Sequence, residues 1–220
     1  MNAPLRWAPR AVEVPVSHGR LEGLLQEPDA PSFAAVACHP HPLQGGTMNN
    51  NVIYRVARAL HDAGAAVLRF NFRGVGLSTG THGNGVGELE DVAAAVDFLT
   101  ARHPSLPLWI AGFSFGSRVG LEFGARDARV GKLLGVGLAV GIYDYEPFLV
   151  PSTKPKAFVQ AEHDEFGGAS EIEALVAKLP EPKRLEIVPA TTHLFPKKLA
   201  ELEAAAGRSI EFLKIASPRA

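Results

Sequence analysis

The chain has 220 residues, 46% hydrophobic and 20% charged, a balance that excludes a disordered chain and an array of membrane spans. Lys and Arg number 22 against 23 Asp and Glu, so no net field draws nucleic acid or an anionic membrane surface. One cysteine, Cys38, excludes an internal disulfide, no run approaches the roughly 20 apolar residues of a spanning helix, and residues 1–10 show no signal peptide; the expectation is a single cytoplasmic domain over residues 1–220.

In chain order, residues 12–17 and 20–27 flank His18-Gly19 and predict an antiparallel hairpin. A strand at 33–38 is followed by a Pro- and Gly-rich loop at 39–49, and then by a helix with Ile53, Val56 and Leu60 on one face. Asn50 or Asn51 suits its N-cap, and Gly64 its end. Residues 66–72 predict a strand, and the loop at 73–87 carries six glycines. Leu89, Val92, Val96 and Leu99 then step by three and four, behind acidic residues that suit a helix N-terminus. Further strands are predicted at 106–111, 132–140, 156–160 and 184–188, with helices at 114–123 and 172–179 and a last one carrying Leu199, Leu202, Ala206, Ile210 and Leu213. Residues 217–220 are expected to fray. Alternating strands and helices make an α/β protein: a mostly parallel twisted sheet with an N-terminal antiparallel hairpin and helices on both faces.

The pattern G-x-S-x-G, which sets a serine on a tight strand-to-helix turn, occurs twice. Gly112-Phe113-Ser114-Phe115-Gly116 follows the apolar run 108–111 and precedes a proline-free helical segment. Gly76-Leu77-Ser78-Thr79-Gly80 has neither neighbour, so Ser114 is the candidate nucleophile and Ser78 a loop hydroxyl. At the start of a helix the Phe115 N–H has no intrahelical acceptor and can face developing negative charge. A second such donor is expected from the loop His39-Pro40-His41-Pro42-Leu43; the prolines have no N–H, leaving His41 or Leu43, with His41 preferred.

A serine hydroxyl needs an imidazole to take its proton and a carboxylate to orient that imidazole, in the order Ser, acid, His. His163 and His193 follow Ser114, and His193 lies just past the last predicted strand, where loops at the carboxyl ends of parallel strands converge. Asp164, four residues beyond Gln160, is the preferred acid, with Asp144 as the alternative.

Five segments together resemble a known family: His39-Pro40-His41-Pro42 with Gly45-Gly46 and Asn50; Asn71-Phe72-Arg73-Gly74-Val75-Gly76-Leu77-Ser78; the Ser114 elbow; Glu162-His163-Asp164; and His193. The chain looks like the small bacterial α/β-hydrolases related to dienelactone hydrolases and acyl-peptidase catalytic domains. The resemblance implies the α/β-hydrolase fold and a structural role for Ser78. It does not carry over the dienelactone substrate, because dienelactone hydrolases use cysteine where this chain has Ser114. Larger relatives insert a lid after the sixth strand, yet only residues 141–153 separate the predicted strands here, so a lidless mouth is expected, bordered by Tyr143, Tyr145 and Phe148, with Leu43 and Tyr143 as substrate-binding residues.

The expected activity is hydrolysis of a carboxylic ester-like bond through an acyl-enzyme, with thioesterase, peptidase or a non-catalytic binding module as alternatives. The expected partner is a small ester or acyl substrate, with no cofactor, metal, nucleic acid or membrane, in a monomer or homodimer.

Overall fold

A computed structural model describes residues 8–217. The strands are β1 (Arg10–Val16), β2 (Gly19–Gln26), β3 (Phe33–Cys38), β4 (Ala65–Phe70), β5 (Leu108–Phe113), β6 (Val130–Val136), β7 (Lys156–Ala161) and β8 (Lys183–Val188). The helices are α1 (Asn51–Asp62), α2 (Gly87–Arg102), α3 (Phe115–Arg126), α4 (Glu146–Leu149), α5 (Ala169–Lys178) and α6 (Leu199–Ile215).

All eight strands form one sheet in the order β1-β2-β4-β3-β5-β6-β7-β8. The β1–β2 and β2–β4 pairs are antiparallel, and every pairing from β4 to β8 is parallel. Successive residues of a strand face opposite sides of the sheet, and both sides are covered. Ala34, Val36 and Cys38 of β3 join a core with Val92, Val96 and Leu99 of α2, Val119 and Leu121 of α3, and Ile172 and Leu175 of α5. Phe33, Ala35 and Ala37 join the opposite core with Ile53, Val56 and Leu60 of α1 and Leu202, Ile210 and Leu213 of α6. Each fully buried aliphatic side chain contributes about 1.5–3 kcal/mol, so strands without a polar face are stable only inside this sandwich of helices.

The α/β-hydrolase architecture and the residues 33–38 of β3 match the sequence expectation. Asn50 caps α1 by accepting from the Val52 N–H at 2.9 Å, and Gly64 leaves that helix with φ 98°. Other boundaries differ. The hairpin pairs Val16 with Gly19, so the two turn residues are Ser17 and His18, one place earlier than expected. The sixth strand ends at Val136 rather than residue 140: Gly137 turns the chain at φ 52°, and Leu138 bonds the Gln160 side chain instead of a neighbouring strand. The run 138–140 reads as strand because it is apolar, but Leu138 and Ala139 are buried in a loop. The strand expected at 66–72 is Ala65–Phe70, the one at 106–111 is Leu108–Phe113, and the helix expected at 172–179 is Ala169–Lys178. Helix α4 and a 3₁₀ turn at Pro42–Gln44 are too short for periodicity to reveal. Of the segments read at the ends, residues 1–7 and 218–220 lie outside the described residues.

Candidate active site

Ser114 stands between the end of β5 and the start of α3 with φ 55° and ψ −122°, a conformation that costs a non-glycine residue of order 1–3 kcal/mol. The flanking glycines permit it. A Cβ on Gly112 would stand 2.3 Å from the Gly116 carbonyl oxygen, and one on Gly116 would stand 2.3 Å from that of Cys38. The strained residue is held from both sides: its N–H donates to the Val136 carbonyl at 3.0 Å, and the Ser117 hydroxyl donates to the Ser114 carbonyl at 2.6 Å.

The loop after β8 carries His193 to this turn, with Nε2 2.8 Å from Ser114 Oγ and Nδ1 2.8 Å from Asp164 Oδ2. Because an ionised carboxylate only accepts, Nδ1 carries the proton and donates to Asp164, which leaves Nε2 as acceptor for the serine hydroxyl. The Asp164 side chain is shielded from solvent and accepts further bonds from the Phe166 N–H at 3.0 Å and from Gln160 Nε2 at 3.1 Å. The imidazole packs on Phe113, with ring centroids 4.9 Å apart, and meets Phe166 edge-on at 4.8 Å. The His193 N–H donates to Glu165 Oε2 at 3.1 Å, tying the loop after β8 to the loop after β7. This constellation can pass a proton from a hydroxyl to an imidazole stabilised by a buried carboxylate.

The loop after β3 forms the other wall. His39 is fully buried; its Nδ1–H donates to the Pro40 carbonyl at 2.6 Å and its Nε2 accepts from the Phe72 N–H at 3.0 Å. Burial pushes this imidazole down to about 4, against the opposite pulls of the Pro40 carbonyl and Glu88, so it is neutral. The Leu43 N–H donates to His41 Nδ1 at 3.2 Å and is therefore occupied. The His41 N–H has no acceptor among the described residues, and its ring lies 4.9 Å from that of Phe115. Burial and the neighbouring His82 both lower the His41 pKa. Leu43, Val86, Ile142 and Leu194, on loops at the carboxyl edge of the sheet, are exposed. Tyr143 is half-buried, its ring 6.4 Å from that of Phe115, whereas Tyr145 and Phe148, expected at the mouth, are buried in the core.

The remaining sequence candidates lie apart from this cluster. Ser78 donates to the Asn71 carbonyl at 2.6 Å and accepts from the Glu22 N–H at 2.9 Å, pinning the glycine-rich loop to the sheet. Asp144 accepts from the Glu146 N–H at the start of α4, and His163 is exposed beside Glu162. Cys38 is buried, which raises its thiol pKa and removes it as a nucleophile. Among the described residues no group of three or more His, Cys, Asp or Glu is placed to hold a metal ion. Sequence reasoning missed Gln160, whose amide bonds Leu138, Asp164 and the Gly167 carbonyl; the available signal was a polar residue inside an otherwise apolar strand.

The family described as serine aminopeptidase, S33, matches residues 42–153, a stretch that holds the Ser114 turn but neither Asp164 nor His193. An uncharacterized protein of Rickettsia prowazekii (strain Madrid E) is 35% identical over 197 residues, 85% of this chain and 82% of its own. An α/β serine hydrolase homologue from Coxiella burnetii is 33% identical with a TM-score of 0.85, covering 91% of this chain and 97% of its own. A lidless α/β serine hydrolase from Xanthomonas campestris is 31% identical with a TM-score of 0.86, covering 99% of this chain and 100% of its own. A nucleophile-type turn at the carboxyl edge of this sheet, together with similarity along nearly the whole length of such structures, means that the chain belongs to the α/β serine hydrolases.

Proposed function

We propose that the protein cleaves carboxylic ester-like bonds through an acyl-enzyme, with Ser114 as nucleophile, His193 as general base and then acid, and Asp164 as the group that orients it. Ser114 Oγ attacks the carbonyl carbon as His193 Nε2 takes the hydroxyl proton. The tetrahedral oxyanion is received by the N–H groups of Phe115 and His41, each worth about 10²–10³ in rate. The bond to the leaving alcohol then breaks as His193 returns the proton to it, and water, deprotonated by the same imidazole, releases the acid. Leu43 and Tyr143 border the substrate, and residues 1–220 act as one domain.

The observation that carries this reading is the pair of 2.8 Å contacts linking Ser114 Oγ, His193 and Asp164. A fluorophosphonate should form an adduct on Ser114, and Ser114→Ala should lower kcat on p-nitrophenyl acetate by about 10⁴ or more. Active protein labelled elsewhere would reject the assignment. The match to the serine aminopeptidase family favours a second reading, cleavage of a peptide amide by the same residues. Faster turnover of aminoacyl p-nitroanilides than of p-nitrophenyl esters would select it.

A further inference from the structure

A cavity of about 220 Å³ opens beside the turn that carries Ser114. Its floor is one stripe of α3: Phe115, Arg118, Val119 and Glu122, spaced i, i+3, i+4 and i+7, all line it. The stripe starts at the residue after Ser114 and runs outward for about 10 Å at the ordinary helical rise. Val86 and Leu89 form the facing wall and Tyr143 closes one side.

The floor combines apolar and charged side chains. Phe115 and Val119 are apolar and buried, while Arg118 and Glu122, one position before and three after Val119, are charged. The Arg118 guanidinium is fixed, paired with Glu122 below and stacked over the Phe148 ring at 4.8 Å. Glu122 also pairs with Arg126 at 2.7 Å, so two guanidinium groups share one carboxylate and the Arg118–Glu122–Arg126 cluster carries net positive charge. Arg118 offers five N–H donors in a planar fork, more than Glu122 can occupy. The Tyr143 hydroxyl lies within electrostatic reach of it, and burial keeps that phenol protonated and able to donate.

Resting on the ester-hydrolase reading above, we infer that this cavity is the acyl pocket and that it selects a short apolar acyl chain ending in a carboxylate, the half-ester of a dicarboxylic acid. At about 30 Å³ per water-sized group the cavity holds roughly seven non-hydrogen atoms beyond the reacting carbonyl. Four methylenes and a terminal carboxylate make that number, which corresponds to an adipyl group. Its methylenes lie on Phe115, Val119 and Leu89, and its carboxylate meets Arg118 and the Tyr143 hydroxyl.

The test compares kcat/KM for the mono-p-nitrophenyl ester of adipic acid with that for p-nitrophenyl hexanoate, which has the same chain length and no charge. The half-ester should be preferred by about tenfold, the effect of one partly screened charge-assisted contact. Arg118→Gln should bring the ratio to about one. Because Arg118→Gln also disturbs the packing on Phe148, Val86→Glu on the exposed rim provides a second variant; it adds negative charge at the mouth and should lower the ratio without touching that contact. Equal or slower turnover of the half-ester by the wild-type protein, with Ser114-dependent hydrolysis of p-nitrophenyl acetate intact, would overturn the pocket assignment alone. A preference that survives both substitutions would overturn it too. Loss of Ser114-dependent turnover of all three esters would instead remove the parent reading.

Discussion

The Asp164 carboxylate accepts from His193, Gln160 and the Phe166 N–H, so its geometry is over-determined and its charge is the adjustable quantity. Asp164→Asn keeps the shape but lets the imidazole adopt the tautomer that presents N–H to Ser114. We expect kcat on p-nitrophenyl acetate to fall about 10³–10⁴-fold with KM little changed, read by steady-state kinetics. His39 acts on stability instead. Free imidazole titrates near 6.5 and this buried ring at about 4, so below 6.5 the unfolded chain takes up a proton that the folded chain refuses. The folded-state value is depressed; the associated stability is therefore present above 6.5 and drains as pH falls towards 4, by about 3 kcal/mol in all. His39→Gln retains one donor and one acceptor but cannot titrate. Urea midpoints from pH 7 to 4.5 should fall more steeply for the wild type than for this variant, and parallel slopes would refute the assignment of the proton to His39.

At the level of elements, the strand-turn-helix around Ser114 depends on two backbones meeting where no side chain fits. Gly116→Ala puts a methyl group within 2.3–2.4 Å of the Cys38 and His39 carbonyl oxygens, both belonging to the β3 end that a shift would have to displace. The expected loss is about 3 kcal/mol or more in denaturant unfolding, well above the roughly 1 kcal/mol of an ordinary cap removal. This turn was legible in the sequence because sterics leave a glycine signature on either side of the serine. The α1 cap and the helical faces were legible because their patterns are local. What escaped were features fixed by distant partners: the end of β6 at Val136 is set by the Gln160 amide, which takes the backbone of Leu138 out of the sheet. Gln160 escaped for the same reason, since a single amide in an apolar strand does not disclose which carbonyls it will meet.

At the scale of the molecule, the parallel order from β4 to β8 makes the loops after β3, β5, β7 and β8 open on one edge, and residues separated by up to 79 positions meet there. The alternation of strands and helices was readable from sequence, and so was the region of the candidate site. The strand order itself was not, because pairing is decided by which helices cover which face. The two outer strands differ in how they end the sheet. β1 carries Pro15, which has no N–H to offer, and β8 carries charged side chains, of which Glu186 pairs across to Arg208 of α6 at 2.7 Å.

Cys38 ends β3 beneath the start of α3, inaccessible to solvent, with its sulfur 3.1 Å from where a methyl group on Gly120 would stand. The molecule thus contains one chemical sentinel, placed where the sheet grips the turn that carries Ser114. Alkylation by iodoacetamide in native buffer should proceed only through opening of that grip, at rates far below those of an unfolded thiol and rising with added urea. Rapid modification of the folded protein would show that the floor under Ser114 breathes independently of the rest.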